Sequence, residues 1–467
     1  MPSRDSVHYF GAGPAPILDS VLEEASAQIL NYNNTGIGLV EISHRGPEAA
    51  EILSSTKATL RKLLDIPESD GPDGYEILFL HGGGSGQFSS TIYNMVAWWV
   101  AKQWKYLKES KFLGLDEEVV IAGLRDLVQE KMKLDYFVTG AWSLKASQEA
   151  ARLVGAENVN IVTDSRKYSK DGKSFTNIPS RETWTPTQDE ADCVMTYYCD
   201  NETVDGVEFP EQPTGHNLVA DMSSNILSRP IDVRAHMAIF AGAQKNIGTT
   251  GITIAIVSNK ILPPTGEYAD PALLRKLGLP VGPVVLDWPT IKKNKSLYNT
   301  LPILDVWVAG RVMDKILSQS GEPPFTSADQ SKYASEETSK TVSASPRISA
   351  QHAESNKKAS LLYSSLDAYP EIYQVVPDKS VRSRMNLCFR IKHGDEQAEK
   401  AFVKGAEAKG LLGLKGHRSV GGMRVSNYNA VTVAATEELR RYLIDFAEGK
   451  AETNGVAKAN GHANGSA

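Results

Sequence analysis

The chain has 467 residues, of which 41% are hydrophobic and 23% are charged, a composition typical of globular proteins with two or three domains. The formal net charge of −6 gives no electrostatic reason for binding nucleic acid or an anionic membrane, so we expect neither partner. Three cysteines without a Cys-x-x-Cys pair argue against a disulfide framework and a zinc site, and the lack of a signal-peptide pattern or a bilayer-length apolar segment favours a cytoplasmic protein without a bound metal.

The first hundred residues predict two helices, a strand and a third helix. Apolar residues at helical spacing predict helices from Pro16 to about Tyr32 and from Pro47 to Leu64. The apolar run Tyr75–Leu80 predicts a buried strand, and the glycine-rich segment 81–87 separates it from a long helical pattern that starts at Phe88. A strand, glycines and a helix in this order predict an α/β unit.

Two later strands end beside residues with catalytic potential. The run 217–220 leads into Asp221, the run 238–242 leads towards Lys245, and a further strand is predicted at 251–257. Alternating strands and helices predict a mostly parallel sheet that helices cover on both faces. Ligands of such sheets bind beyond the carboxyl ends of the strands, where Asp221 and Lys245 both fall.

The remainder of the chain contains two polar segments. Ser327 to about Ser360 is rich in Ser, Lys and Glu and predicts a solvated excursion with little helix. The predicted division is a large domain at 16–320, a smaller α/β domain formed by 1–15 and 350–448, the Ser-rich excursion at 321–349 and a disordered tail at 449–467.

Lys245 is a candidate for a Schiff base with an aldehyde cofactor, because it lies at a strand end among glycines. A surface lysine in a turn is the commoner outcome for such a segment. Asp221 favours the catalytic interpretation, since pyridoxal phosphate needs a carboxylate opposite its pyridine nitrogen. An aspartate that caps a helix is the structural alternative.

Three further features suit a phosphorylated cofactor and an anionic substrate. The glycine-rich segment 81–87 would let backbone N–H groups approach a phosphate at a helix N-terminus, although a structural turn explains it equally well. Trp142 could stack on the cofactor ring or pack in the core. The pairs His44-Arg45 and His417-Arg418, with Arg424, suit a substrate that carries phosphate and carboxylate groups, or are solvated surface charges.

These motifs, in this order, resemble the phosphoserine aminotransferases, a class V, fold-type I family of pyridoxal-phosphate enzymes. The resemblance covers most of the chain. Its most specific runs are SSNILSRP at 223–230, AGAQKNIG at 241–248 and KGHRSVGGMR at 415–424. It implies an α/β fold with a mostly parallel, seven-stranded sheet in a large domain and a smaller α/β C-terminal domain.

By this resemblance, Lys245 binds the cofactor covalently and moves the substrate proton, Asp221 pairs with the pyridine nitrogen, and Trp142 stacks on the ring. The implied cofactor ligands are Gly84, Ser85, Trp142, Thr203, Asp221, Gln244 and Lys245, with Asn299 and Thr300 reaching the phosphate from the other subunit of a homodimer. The implied substrate ligands are His44, Arg45, His417 and Arg418 for the phosphate or the side-chain carboxylate of glutamate, and Arg424 for the α-carboxylate.

The implied reaction transfers the amino group of L-glutamate to 3-phosphohydroxypyruvate and yields 2-oxoglutarate and O-phospho-L-serine, a step of L-serine biosynthesis. Two features depart from the family pattern. Ser85 stands where some relatives carry a basic residue, and the stretches at 101–135 and after Glu322 are longer than in compact relatives.

Three other interpretations remain open at this point. A cysteine desulfurase needs a reactive cysteine on a loop, whereas Cys193, Cys199 and Cys388 fall in or beside predicted strands. A serine–glyoxylate-type aminotransferase would not need the pair His417-Arg418. A degenerate relative acting as a binding or scaffold protein would be indicated by loss of the lysine or the aspartate, and both are present.

Overall fold

The computed structural model describes residues 3–111, 114–321 and 346–450. The helices in these ranges are α1 (Asp19–Leu30), α2 (Pro47–Leu64), α3 (Gly83–Tyr106), α4 (Glu117–Glu130), α5 (Ala141–Val154), α6 (Pro271–Lys276), α7 (Trp288–Lys293), α8 (Ile303–Ser318), α9 (Ser349–Ala368), α10 (Glu396–Ala408) and α11 (Val433–Ala447). The strands are β1 (His8–Tyr9), β2 (Tyr75–Leu80), β3 (Lys133–Val138), β4 (Val159–Asp164), β5 (Cys193–Cys199), β6 (Asn201–Glu202), β7 (Val207–Glu208), β8 (Leu218–Asp221), β9 (His236–Gly242), β10 (Thr253–Ser258), β11 (Tyr373–Val375), β12 (Asn386–Ile391), β13 (Leu411–Leu412) and β14 (Met423–Ser426).

The central sheet has seven strands in the order β2-β10-β9-β8-β5-β3-β4. Strand β10 runs antiparallel to both of its neighbours, and the other adjacent pairs are parallel. Every residue of β5 and β10 is buried, as expected for strands that have helices on both faces. The prediction of a mostly parallel, seven-stranded α/β sheet is therefore confirmed.

Each face of the sheet packs against its own set of helices. In β2, Ile77 and Phe79 join a core that includes residues of α1, α2 and α8. Their neighbours Leu78 and Leu80 join the opposite core, with residues of α3, α4 and α5. This division follows from the two-residue period of a strand, which sends successive side chains to opposite faces.

A third hydrophobic core forms in the C-terminal part of the chain. The antiparallel sheet β11-β12-β14 and the helices α9, α10 and α11 contribute its side chains, and Phe10 joins them from the N-terminus. Strand β1 pairs in parallel with β13, which ties the N-terminal segment to this core. The domain limits 16–320 and 350–448 stay a prediction, because a shared core does not define a boundary.

The structure corrects three of the local predictions. Helix α1 is shorter than the segment from Pro16 to Tyr32. Helix α3 begins at Gly83 rather than Phe88, because Gly82 and Gly83 both take positive φ angles and turn the chain directly after β2.

None of the described helices is long and apolar enough to cross a bilayer.

The third correction concerns the Ser-rich excursion. Residues 349–360 lie in α9, and Ser355 and Lys358 are fully buried there. Polar composition misled the prediction because buried polar groups are tolerated when they have hydrogen-bond partners. Residues 322–345 of the predicted excursion and 451–467 of the predicted tail lie outside the described residues.

Candidate functional site

Asp221 and Lys245 lie at the same edge of the central sheet. Asp221 is the last residue of β8, which pairs in parallel with β9, and Lys245 follows three residues after β9. Asp221 is buried, and its Oδ1 accepts a hydrogen bond of 2.9 Å from the N–H of Ser223. Burial raises the pKa of Asp221, while the Ser223 hydrogen bonds and the charge of Lys245 oppose the increase.

The glycine-rich segment supplies the first turn of α3 next to Asp221. A Cβ atom on Gly84 would lie 3.8 Å from Oδ2 of Asp221 and 3.6 Å from Oγ of Ser223. The leading N–H groups of a helix have no intrahelical acceptor, so Gly84 and Ser85 present free donors and the positive end of the helix dipole. This arrangement suits a phosphate group.

Trp142 and Thr203 form a pair on the adjoining side. Trp142 is the second residue of α5, and its indole Nε1 donates a hydrogen bond of 2.9 Å to Oγ1 of Thr203. The Nζ atom of Lys145 lies 4.4 Å from the centroid of the Trp142 ring. Trp142 as a whole is half-buried.

The N-terminal segment passes over Gln244 and Lys245. The N–H of Ala15 donates to the carbonyl of Gln244 at 2.9 Å. A Cβ atom on Gly13 would lie 3.5 Å from Cγ of Gln244 and 3.7 Å from Cε of Lys245. These are ordinary van der Waals distances, so the constraint at position 13 is its φ angle of +126°, which side-chain-bearing residues rarely adopt.

Arg424 brings the C-terminal part of the chain to the site. It lies in β14, and its Nη1 donates a hydrogen bond of 2.9 Å to the carbonyl of Thr203. Burial, followed by the charges of Arg424, Lys145 and Arg418, lowers the pKa of His417. Arg424, Lys145 and Arg418 therefore form one positively charged cluster around His417, which suits an anionic substrate.

The structure does not join the remaining predicted residues to this group. His44 and Arg45 precede α2, and Nε2 of His44 is buried without a hydrogen-bond partner. Asn299 and Thr300 are exposed in the segment before α8. Within the described residues, no hydrogen bond links these four to Asp221, Lys245, Trp142 or Thr203.

Several residues of the site carried no role in the sequence analysis. Glu202 is the last residue of β6, and Asp205 lies in the turn between β6 and β7. Lys145 contacts Trp142, and Ser223 contacts Asp221. Their residue types are ordinary for a protein surface, so the sequence contained no signal of their burial or contacts. The motif that contains Glu202 and Asp205 is recognisable, but their separate functions are not.

All three cysteines are buried. Burial raises the pKa of Cys193 and of Cys388 to about 12 and raises that of Cys199 well above its ordinary value. Because the thiolate is the reactive form of cysteine, these residues are poor candidates for a desulfurase nucleophile.

Comparison with known proteins agrees with this geometry. Residues 117–314 match the family model for class-V aminotransferases. A phosphoserine aminotransferase of Saccharomyces cerevisiae is 37% identical over 452 residues, which cover 95% of this chain and 98% of that protein. The corresponding protein of Drosophila melanogaster is 36% identical, with 94% and 97% covered.

Solved structures show the same similarity over nearly the whole chain. The PLP-bound phosphoserine aminotransferase of Trichomonas vaginalis has a TM-score of 0.70 and 30% identity, with 94% of this chain and 99% of that chain covered. The phosphoserine aminotransferase of Bacillus circulans subsp. alkalophilus has a TM-score of 0.72 and 30% identity, with 94% and 98% covered. The chain therefore belongs to the phosphoserine aminotransferase family.

Proposed function

We propose that this chain transfers the amino group of L-glutamate to 3-phosphohydroxypyruvate, with pyridoxal phosphate as cofactor, and thereby makes O-phospho-L-serine for L-serine biosynthesis. The observation that carries the proposal is the position of Asp221 and Lys245 at neighbouring strand ends. The phosphate-binding geometry at α3 and the cationic cluster around Arg424 support the choice of cofactor and substrate.

The residues at this edge fit pyridoxal phosphate. Asp221 is buried without an ion pair among the described residues, so it would accept the protonated pyridine nitrogen. Gly84 and Ser85 would hold the phosphate, Trp142 would stack on the ring, and Thr203 and Gln244 would hydrogen-bond its edge. When bound, the cofactor supplies an electron-withdrawing ring that accepts negative charge from the substrate α-carbon.

Lys245 has two tasks in this proposal. Its Nζ would hold the cofactor covalently between turnovers, and after the substrate amine has replaced it on the cofactor, the freed lysine amine would take the proton from the substrate α-carbon as a general base. Gly13 passes close to the lysine side chain, since a Cβ atom on Gly13 would lie 3.7 Å from Cε of Lys245. Asp221 contributes by keeping the ring nitrogen protonated.

The cationic residues orient the substrate. Arg424 would bind the α-carboxylate, because a guanidinium binds a carboxylate through two parallel hydrogen bonds. His417 and Arg418, with His44 and Arg45, would hold the phosphate of one substrate or the side-chain carboxylate of the other. Lys145 adds a further positive charge to this cluster.

We expect Arg424→Ala to abolish productive binding of both amino acids while the cofactor stays bound. The expected loss of kcat/KM is about 100-fold or more, since a charged hydrogen-bonded pair contributes about 3 kcal/mol. The cofactor absorption band of the purified variant checks the second part. Unchanged half-reaction rates with glutamate would contradict the role of Arg424 as the carboxylate clamp.

The proposed enzyme is a homodimer in which Asn299 and Thr300 reach the cofactor phosphate of the other subunit. Four large apolar side chains within residues 281–298 are exposed on the single chain: Val281, Val284, Val285 and Tyr298. Such a concentration of exposed apolar residues suits a protein interface. A cytoplasmic location stays a prediction from composition and cysteine usage.

Substitution at this surface tests the shared site. We expect Val284→Glu to convert the dimer into a monomer and to weaken cofactor binding, because each phosphate would lose the partner's donors. Val119→Glu is the matched control, since Val119 is 43% exposed and Val284 is 45% exposed. Analytical ultracentrifugation gives the mass, and a wild-type protein that sediments as a 50.8 kDa monomer would contradict the dimer.

The decisive experiment follows the absorption spectrum of the purified protein through both half-reactions. A visible band that bleaches with L-glutamate and returns with 3-phosphohydroxypyruvate supports the proposal, and Lys245→Ala should show neither change. Return only with an unphosphorylated keto acid would support a serine–glyoxylate-type enzyme. A protein that cannot take up the cofactor at all would support a scaffold protein instead.

A further inference from the structure

A fully buried carboxylate lies at the N-terminus of the helix that carries Trp142. Glu202 is 0% exposed. Its Oε2 accepts a hydrogen bond of 2.9 Å from the N–H of Trp142, and its Oε1 accepts one of 2.8 Å from the N–H of Ser143. Both N–H groups belong to the first turn of α5, where a helix has unpaired donors and a partial positive charge.

The residue after Glu202 holds the other end of the same tryptophan. The indole Nε1 of Trp142 donates to Oγ1 of Thr203 at 2.9 Å. Two consecutive residues therefore hold Trp142 at its backbone and at the tip of its ring. The plane of the ring is defined before any ligand arrives.

Gly140 is a glycine because Glu202 needs the space. Its φ and ψ angles are −172° and −171°, an extended conformation that other residues also adopt. A Cβ atom on Gly140 would nevertheless lie 2.2 Å from Cγ and from Cδ of Glu202. The constraint at this position is steric and comes from the glutamate side chain.

Burial of this carboxylate is unfavourable because it removes the charged group from water. Burial raises the pKa of Glu202, and its hydrogen bonds with Ser143 and Trp142 oppose the increase. Among the described residues Glu202 has no cationic partner within salt-bridge distance, so the two backbone donors and the helix dipole stabilise its charge. A glutamine replaces one of the two acceptor oxygens with an NH2 donor, so it cannot keep both hydrogen bonds on separate oxygens.

We propose that Glu202 is a positioning residue that orients the Trp142 ring for stacking on the cofactor. The inference rests on the stacking role proposed for Trp142. Glu202 binds the backbone of Trp142 and Ser143 rather than the ring. It would therefore act on the cofactor only by holding the first turn of α5 in place. Thr203 completes the same arrangement from the side of the ring.

The test measures the dissociation constant of pyridoxal phosphate from the apoprotein by equilibrium dialysis. We expect Glu202→Gln to weaken binding about tenfold, which corresponds to the loss of one charge-assisted hydrogen bond. Gly140→Ala should weaken binding to a similar extent, because its methyl group displaces the carboxylate. The circular dichroism of the visible cofactor band should decrease in both variants, since it reports the asymmetric surroundings of the ring.

Trp142→Ala supplies the background in which there is no ring to orient. In this background, we expect Glu202→Gln to change the dissociation constant less than about twofold. Ser147→Gly is the control for helix stability, because Ser147 lies in the same helix and bonds only to the carbonyl of Leu144. This control should bind the cofactor like the wild type.

Two outcomes would overturn the inference in different ways. An equal tenfold loss from Glu202→Gln in the Trp142→Ala background would show that Glu202 acts on something other than the ring. Unaltered binding in Trp142→Ala alone would refute the stacking role from the proposed function, and the inference with it. If Glu202→Gln fails to fold, judged from the melting temperature of the apoprotein, Gly140→Ala decides the question.

Discussion

At the scale of single residues, the fold shifts the pKa of the Asp205 carboxyl group into the neutral range. Its Oδ2 is buried without a hydrogen-bond partner. Burial, followed by the charge of Glu202, raises the pKa of Asp205 to about 7, and Arg424 opposes the increase. The carboxyl group thus lies beside the proposed substrate clamp with little compensation for its charge.

This shift predicts the pH dependence of stability. The unfolded carboxyl ionises near pH 3.9, whereas the folded one keeps its proton to about pH 7. Between these values the folded state binds more protons, so its free energy of unfolding decreases as pH rises. Asp205→Asn cannot ionise and should stabilise the protein at pH 8 by about 1–3 kcal/mol, and by less at pH 5.

Melting temperatures at pH 5 and pH 8 check this prediction. The matched control is Asp126→Asn, at an exposed position on α4, which should change the melting temperature little at either pH. A larger stabilisation by Asp205→Asn at pH 5 than at pH 8 would have the wrong sign for a raised pKa.

At the scale of elements, α9 connects the C-terminal core to the catalytic edge through a buried lysine. Lys358 is fully buried, and its Nζ donates to the carbonyls of Tyr428 at 2.9 Å and Val431 at 2.6 Å. The loop between these residues contains Asn429, whose N–H donates to Oδ1 of Asn246, the neighbour of Lys245. Burial lowers the pKa of Lys358 to about 8, so the group is mostly charged at pH 7.

Removal of this donor should loosen the loop. Lys358→Met fills the same space but removes the donor to the carbonyl of Val431, while the carbonyl of Tyr428 keeps the N–H of Val431 as a donor. We estimate the cost at about 2 kcal/mol. We expect a lower melting temperature and a lower kcat. Lys357→Met is the control because Lys357 is the exposed neighbour on the same helix. An equal or higher melting temperature for Lys358→Met would show that desolvation of the lysine outweighs its hydrogen bonds.

At the scale of the whole molecule, buried ion pairs join the segment before the C-terminal sheet to the two-stranded sheet β6-β7. Glu208, in β7, accepts hydrogen bonds from Nε and Nη2 of Arg384 at 2.9 and 2.6 Å, and Arg229 lies 3.3 Å from the same carboxylate. Burial alone would raise the pKa of Glu208, but Arg384 and Arg229 outweigh it, so the pKa is lowered. Arg384 lies two residues before β12, and β12 pairs with β14, the strand that contains Arg424.

Removal of the Glu208 carboxylate should destabilise the folded protein. We expect Glu208→Gln to lower the free energy of unfolding by about 3–5 kcal/mol, because it leaves the half-buried guanidinium of Arg384 without its carboxylate. Arg229 keeps its ion pair with Asp200. Glu211→Gln provides the control, since the Glu211 side chain is 79% exposed. Denaturant unfolding followed by fluorescence measures the difference. A loss below 1 kcal/mol would mean that the arginines find other partners.

Much of the fold was predictable from local patterns. The bounds of α2 and β2 match the prediction, because their apolar residues follow clear helical and strand periods. The predicted start of α3 at Phe88 was wrong, because glycines permit a helix to begin shortly after a strand. The prediction that the start of α9 is solvated was wrong. The hydrogen-bond acceptors of Lys358 come from residues 70 and 73 positions away, and no local pattern reveals such distant partners.

The sequence by itself determined the family, the fold class and the placement of Asp221 and Lys245 at one edge of the sheet. The physical reason is that neighbouring parallel strands end at one edge of the sheet, so two strand-end residues already define a site. Only the tertiary structure decided that Glu202 binds the first turn of α5 and that Asp205 faces Arg424. These contacts join separate elements, and the burial that gives them their energy exists only after those elements have packed together.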